Sequence, residues 1–198
     1  MAEMVELGQI VLNAGTQMRR WTSDTAVEEY SALMKEGHTF DPIELYQVED
    51  GRLVLVNGFH RVAAAKKAAL EQISATIVIG TMQEALWAAV AANKTNAVRR
   101  NSDDIRNAIE AALMHPNGAA MSDRQIAEYV GCTHPTVGSV RAKLVATGKL
   151  SSGAERTGRD GRTINTEKIG LKHKMEHWQS LIYKPWEKEC KGDLRLIK

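Results

Sequence analysis

Apolar and polar positions change period several times along the chain. Val5–Leu12 alternates loosely (VELGQIVL) and predicts a first strand, which Asn13-Ala14-Gly15 breaks. Thr25 followed by Glu28 has capping-box spacing and predicts a helix through about Met34, stopped at Gly37. Ile43–Val48 and Arg52–Val56 read as strands across Glu49-Asp50-Gly51, and Asp-Gly is a strong hairpin signal. Asn57-Gly58 then leads into an alanine-rich helix from about Phe59 to Leu70. Ile73–Ile79 predicts a short buried strand, and Thr81 with Glu84 opens a helix through about Asn93. Strands interleaved with helices predict an α+β or α/β domain over residues 1–93.

The pattern turns helical after a polar segment, Lys94–Asn101, read as a connection that could also touch ligand. Ser102 is read as the cap of a helix through about Met114, with Ile105, Ala108, Ile109, Ala112 and Leu113 at helical spacing. His115-Pro116-Asn117-Gly118 ends it. Asp123–Leu144 then reads as a helix-turn-helix. Ser122 and Gln125 form a capping box, Ile126 and Val130 share one face, and Gly131 falls at the sharp turn. Thr133 starts a second helix with Pro135 in its first turn, and Val137, Val140 and Leu144 give it an apolar face. The opposite face is assigned His134, Thr136, Ser139, Arg141 and Lys143, hydrogen-bonding groups and cations suited to a DNA major groove. An ordinary αα-hairpin with a polar outer face is the plainer alternative.

Residues 94–150 are therefore read as a helical DNA-binding domain, and 151–198 as a basic hairpin and tail. Asp160-Gly161, between Arg159 and Arg162, looks like the tip of a short hairpin acting as a basic wing; a loop that orders only on DNA, or never, is the alternative. In the tail, Leu171, Met175, Trp178 and Ile182 predict a helix with an apolar stripe, ended by Pro185, which packs on the chain's own core or makes a dimer contact.

Charge sharpens the division. Residues 1–90 hold seven Lys/Arg against twelve Asp/Glu, whereas 91–198 hold nineteen against twelve. A basic back half is an electrostatic footprint for nucleic acid, without sequence specificity of its own. No apolar run approaches the ~18 residues of a membrane span, and MAEMVELGQI has no signal-peptide pattern. Cys132 and Cys190, far apart, form no disulfide framework, so a reducing cytoplasm is the expected compartment. His173 and His177 lack a nearby third metal ligand and read as solvated helix residues.

The second informative stretch is Val54–Arg61, a strand running through Gly58 into a helix. Such a junction offers backbone N–H groups and the positive helix end to an anion. His60 and Arg61 lie on the first turn, and Arg19 and Arg20 could approach from another strand end, so a phosphate-bearing ligand is the natural guess. An ordinary turn, with Arg61 in a salt bridge within the fold, is the plainer reading.

LVNGFHRVAAAKKAAL resembles the phosphate-binding box of the ParB/sulfiredoxin fold, written GERRxRA in ParB proteins, with Gly58, His60 and Arg61 at its Gly and basic core. QMRR resembles the early Arg-containing nucleotide contact, and the helix-turn-helix lies downstream as in ParB. The chain is similar to small ParB-like regulators that continue into an ANxxxxxxRR-type segment, here Ala92-Asn93 and Arg99-Arg100. The resemblance covers about residues 5–145 and implies an α+β ParB/sulfiredoxin-like domain tied to a DNA-reading domain. Its ligand would be CTP or another nucleotide with magnesium, which ParB uses as a clamp switch, held by Arg19, Arg20, Gly58, His60, Arg61 and Asn93.

Two departures bear on chemistry. Sulfiredoxin needs a Cys where this chain has Phe59, so sulfinic-acid reduction by that route is not expected. ParB has a Glu before the Asn of its later phosphate motif, where this chain has Ala92, which removes a metal ligand.

These observations predict a ParB-like DNA-binding protein, a transcription regulator or a plasmid- or phage-type partition factor working on the nucleoid. Bases would be read by Thr133, His134, Thr136, Ser139 and Arg141, and phosphates held by Lys143, Lys149, Arg156, Arg159 and Arg162. A homodimer would suit paired half-sites. The alternative is a nucleotide hydrolase or nuclease of the same fold, with Asp103 and Asp104 as the nearest acidic pair; their plainer reading is helix-start carboxylates.

Overall fold

The computed structural model describes residues 2–19, 22–92, 100–151, 155–158 and 160–165. The chain divides into two compact units, Met1–Ser152 and Gly153–Lys198.

The first unit is built on a five-stranded mixed sheet of order β1-β5-β3-β4-β2. Its strands are β1 (Ala2–Glu6), β2 (Ile10–Val11), β3 (Ile43–Gln47), β4 (Leu53–Asn57) and β5 (Gln72–Ile79). The predicted first strand is two strands. A short 3-10 turn, Leu7–Gln9, separates β1, which pairs antiparallel with β5 at one edge, from β2, which pairs parallel with β4 at the other. In a flat sheet those edges would lie roughly 19 Å apart at ~4.8 Å per strand. The step from Glu6 to Ile10 spans at most about 14 Å of chain. The sheet therefore curls, which brings its edges closer.

β3 and β4 form the expected hairpin, with Gly51 at φ 83° in its turn. Beyond Val11 the pairing of β4 continues through a side chain, as the buried Thr16 hydroxyl donates to the Leu55 carbonyl at 2.5 Å. β4 is buried on both faces. Leu55 joins one core with Ile43, Leu45, Ile73, Val62 and Ala65, the last two from α2 (Phe59–Lys67). Val54 and Val56 join the other, with Ala85, Ala89 and Val90 of α3 (Met82–Ala92). On the α2 side, α1 (Asp24–Lys35) pairs with α2, and Lys67 reaches Glu28 at 2.8 Å. The cap of α1 is Ser23 rather than Thr25: its side chain accepts the Ala26 N–H, which leaves Glu28 free for that bridge.

The second core runs on into the helices that follow. Those helices are α4 (Ser102–Met114), α5 (Pro116–Ala119), α6 (Asp123–Val130) and α7 (His134–Ala146). Ile109 and Leu113 of α4, Ile126 and Val130 of α6, and Val137 and Leu144 of α7 share one cluster with Val54 and Val56. The cap of α4 is Asn101, not Ser102, in a reciprocal box with Asp104. The boxes at Thr81–Glu84 and Ser122–Gln125 form as their spacing predicts. Gly118 is sterically required: a Cβ there would lie 1.9 Å from the Ala112 carbonyl oxygen.

α6 and α7 meet across a turn at Gly131, φ 76°. Behind it, the buried Arg141 donates from Nε to Asp123 at 2.7 Å and from Nη2 to the Met121 carbonyl at 3.0 Å. Arg141 therefore does not stand on the outer face assigned to it above. It lies one turn after Val137, and 137, 140, 141 and 144 form a single buried stripe. No helix among the described residues is long and apolar enough to cross a membrane.

The second unit contains a two-stranded antiparallel hairpin, β6 (Glu155–Thr157) and β7 (Thr163–Asn165), with Asp160-Gly161 at its tip. Gly161 adopts φ 76°, and Asp160 accepts the Arg162 N–H at 3.2 Å. Arg159 and the tail stripe of residues 171–182 lie outside the described residues.

Three substitutions test this account. Gly58, at φ 109°, would place a Cβ 2.5 Å from Ile43 Cγ2, whereas Gly37, at φ 84°, has open space around it. Gly58→Ala is expected to cost ~2–4 kcal/mol, backbone strain plus overpacking, and Gly37→Ala about 1 kcal/mol, both read as a lower urea midpoint at unchanged slope. Asp123→Asn removes the negative charge facing the Arg141 guanidinium, whose side chain is 7% exposed against 23% for Asp123. Its expected cost is about 2 kcal/mol, below the ~3–5 of a fully buried pair because Asp123 keeps some solvent; a melting temperature unchanged within 2 °C of wild type would contradict it.

Candidate functional site

Two places carry chemistry beyond packing. The first is the junction between β4 and α2. β4 delivers the chain to Gly58, which caps α2 in a left-handed conformation with no side-chain hydrogen bond at the cap. A helix start leaves the N–H groups of its first turn without partners inside the helix, here those of Phe59, His60 and Arg61. No acidic residue occupies that turn, so the positive helix end is not neutralised locally.

The side chains around the junction are partly committed to the fold. His60 is buried, and its Nε2 accepts the Ser23 N–H at 3.0 Å, which ties the start of α1 to the first turn of α2. Because Nε2 accepts, the neutral ring carries its proton on Nδ1. Burial pushes the His60 pKa down, the nearby Arg19 charge adds to this, and Asp104 opposes it. Arg61 folds back beneath Gly58 and donates from Nη1 to the carbonyls of Asp41 and, at 2.8 Å, Pro42. It thereby pins the loop leading into β3, and burial lowers its pKa. Its partners are main-chain carbonyls, not the carboxylate of a salt bridge.

Arg19 is buried beside this helix start. Burial lowers its pKa, Asp104 raises it, and Arg100 lowers it further. The charge of Asp104, at the start of α4, is therefore felt by both Arg19 and His60. The structure brings Arg19, Gly58, His60 and Arg61 into one neighbourhood, whereas Arg20 and Asn93 lie outside the described residues. On sequence alone, Arg100 falls in the polar connection that could touch ligand and Asp104 in the acidic pair of the hydrolase alternative; both act electrostatically on Arg19. The reciprocal box with Asn101 fixes Asp104 there, and its signal was an Asn with Asp three positions on. Asp103 pairs instead with Arg106 at 3.1 Å. Among the described residues no group of three or more His, Cys, Asp or Glu could hold a metal ion, so the carboxylates present do not form a magnesium site by themselves.

The second place is the outer face of α7. Val137, Val140, Arg141 and Leu144 are buried, which leaves Thr133, His134, Ser139, Lys143 and Lys149 exposed and Thr136 half-buried. Thr133 occupies the cap position, but its hydroxyl pairs with that of Thr136 at 2.8 Å instead of capping the backbone. Two hydroxyls and an imidazole therefore cluster at the exposed start of α7, with cations toward its end. In the hairpin, Arg156 is half-buried and Arg162 is exposed.

An aromatic stack links α3 to the helical region. The Trp87 ring stacks on Tyr129 with centroids 4.2 Å apart and on His115 at 4.9 Å. Tyr129 donates to the Trp87 carbonyl at 2.8 Å, and burial pushes its phenol up to about 12. His115 bonds the Gln83 carbonyl through Nε2 at 3.0 Å and accepts the Asn117 N–H on Nδ1. This stack was not read from the sequence; its residues lie far apart in the chain and share no spacing.

Residues 2–94 match the family model of the ParB N-terminal domain. The chain is 29% identical over 143 residues to the transcriptional regulator NovG of Streptomyces niveus, covering 71% of this chain and 42% of that protein. It therefore spans less than half the length of that relative. Among solved structures, it is similar to sulfiredoxin from Arabidopsis thaliana, with 24% identity, 42% of this chain and 91% of that chain covered, and a TM-score of 0.38. It is also similar to the C-terminally truncated chromosome-partitioning protein ParB from Caulobacter crescentus. In that protein's complex with the centromeric parS site the identity is 17%, the coverage 77% and 81%, and the TM-score 0.47. In its complex with CTP-γ-S the values are 16%, 77% and 88%, and 0.43. Residues 2–94 thus carry the match to the ParB N-terminal domain, on a mixed α/β fold with a helical region after it.

Proposed function

We propose that this protein is a DNA-binding regulator or partition-type factor that reads duplex DNA with α6 and α7 as a helix-turn-helix. The observation that carries this reading is the outer face of α7, where exposed hydrogen-bonding groups stand at the start of a helix fixed from behind by a buried stripe. A helix entering the major groove contacts bases with its first residues, and Thr133, His134, Thr136 and Ser139 have that position. Lys143 and Lys149, further along, would meet phosphates. Arg156, Arg159 and Arg162 of the hairpin segment are the further phosphate contacts of the reading. Arg141 leaves the set of base readers, since its guanidinium is spent on Asp123 and Met121. The relative that is a transcriptional regulator and the ParB N-terminal domain both support this class of function. A homodimer on paired half-sites, acting on the nucleoid, is the arrangement that fits it.

The ligand of the front domain is proposed to be a nucleotide, with CTP the first to test. The donor set at the β4–α2 junction suits phosphate: first-turn N–H groups, the positive end of α2, and Arg19 beside it. Arg61 and His60 would support that junction through Pro42 and Ser23 rather than grip phosphate from free positions. Arg20 and Asn93 remain in the proposed set from the sequence resemblance.

The test is fluorescence anisotropy of duplex DNA at several salt concentrations, first with random sequence and then with the sequences retained through selection. Binding is expected to weaken steeply with salt, by about one unit of log–log slope per phosphate contact. Lys143→Ala should weaken all sequences alike and reduce that slope by about one. Ser139→Ala should change the order of preference among sequences, and an identical order would remove that face as the reader. For the front domain, CTP with magnesium is expected to bind wild type and to bind Arg19→Ala at least about tenfold more weakly, the loss of a charge-assisted hydrogen bond. Equal calorimetric titrations of the two proteins would exclude Arg19 from the site.

A further inference from the structure

The turn between α6 and α7 is gripped from outside by a residue distant in sequence. α6 ends at Gly131, and the N–H groups of Gly131 and Cys132 both turn back to the Ala127 carbonyl, at 2.8 and 2.9 Å. That leaves the carbonyls of Val130 and Gly131 at the negative end of a short helix. Arg100 takes both. Its Nη1 donates to Val130 at 2.9 Å and its Nη2 to Gly131 at 3.1 Å. A guanidinium suits this task because its planar fork fixes two acceptors at once, and its charge opposes the helix dipole. The two acceptors differ in kind: Val130 is the last helical residue, and Gly131 is the left-handed one that sets the bend. One side chain therefore locks the angle at which the chain leaves α6 toward Thr133 and His134.

The base of that side chain is itself held. Arg100 directly precedes Asn101, whose capping box with Asp104 fixes the start of α4, and α4 is rooted in the core through Ile109 and Leu113. We propose that Arg100 is a positioning residue for DNA reading: by clamping the Val130 and Gly131 carbonyls to the start of α4, it fixes the α6–α7 turn and so the presentation of the first residues of α7. This rests on the DNA-binding reading above and assigns Arg100 no contact with DNA. The clamp has a reporter beside it. Burial raises the pKa of the Cys132 thiol while the Arg100 charge lowers it, so the thiol senses whether the guanidinium is in place.

The experiment uses the full chain carrying Cys190→Ser, which leaves Cys132 as its single thiol. Arg100→Gln and Arg100→Lys are compared with wild type in three measurements: thermal melting, the ratio of affinities for a selected site and for random duplex, and the pH profile of Cys132 reaction with a disulfide reagent. Arg100→Gln is expected to lower the affinity ratio about tenfold, the scale of losing charged hydrogen bonds, and to move the thiol profile to higher pH. Arg100→Lys, which keeps the charge but not the fork, is expected to leave the profile near wild type and to lower the ratio about threefold. A ratio within twofold of wild type in Arg100→Gln overturns the proposal. Should that variant fail to fold, an unchanged ratio in Arg100→Lys overturns it equally. If wild type prefers no sequence, the DNA reading itself has failed and this proposal with it, while a shifted thiol profile would still show that Arg100 holds the turn.

Discussion

Everything in the first unit depends on β4 being buried on both faces. Leu55 turns to the core shared with α2, while Val54 and Val56 turn to the core shared with α3 and the helices beyond it. A strand enclosed in this way cannot slip by one residue, because a slip would exchange the two faces at once. It therefore delivers Gly58 to one fixed point, against Ile43, where the left-handed step into α2 begins. The anion-binding geometry proposed for the front domain follows from that step. The placement of α7 follows from the other face of the same strand, through a core that passes without a break from Val54 and Val56 to Leu144.

That continuity has an electrostatic counterpart. Asp104 at the start of α4 and His60 at the start of α2 both act electrostatically with Arg19, and burial and that cation favour the neutral form of His60. Placing several charged groups in a partly buried seam is costly unless each has partners. The partners are distributed between the two parts: Asn101 and Asp104 from α4, and Ser23 and His60 from the sheet side. On the α4 side, Arg100, the residue before the Asn101–Asp104 capping box, reaches the Gly131 turn.

What the sequence made legible was local. The capping boxes at Thr81 and Ser122, the Asp-Gly turns at Gly51 and Gly161, and the bend at Gly131 depend on spacings of a few residues, and each formed as those spacings require. What stayed hidden was set at a distance. The alternation from Val5 to Leu12 is compatible with one strand or with two. The choice was made by β5 and β4, which take its halves to opposite edges of the sheet. Asn101 displaced Ser102 as a cap because Asp104 closes the reciprocal bond from three residues on. The misplacement of Arg141 had a different origin. Its charge suggested an outer face, although its position one turn beyond Val137 put it on the buried one. Periodicity outweighed residue type because Asp123 and the Met121 carbonyl were there to receive the guanidinium.

Arg141 is one case of a wider habit in this chain, and the habit changes how its charge is to be counted. Arg61 donates to Asp41 and Pro42, Arg100 to Val130 and Gly131, and Arg141 to Met121 as well as Asp123. In each case a guanidinium takes at least one main-chain carbonyl, and Arg100 takes two with both prongs of its planar fork, a task a lysine ammonium cannot perform with the same geometry. Such arginines supply shape. The positive excess of the back half, nineteen cations against twelve anions, therefore overstates the charge offered to a polyanion, because Arg100 and Arg141 are turned inward. Exposed cations such as Lys143, Lys149 and Arg162 keep their charge toward solvent. A division of labour follows from the side-chain chemistry itself. Exposed ammonium groups are available as point charges for the proposed phosphate contacts, while the guanidinium groups of Arg100 and Arg141 brace the two ends of α6.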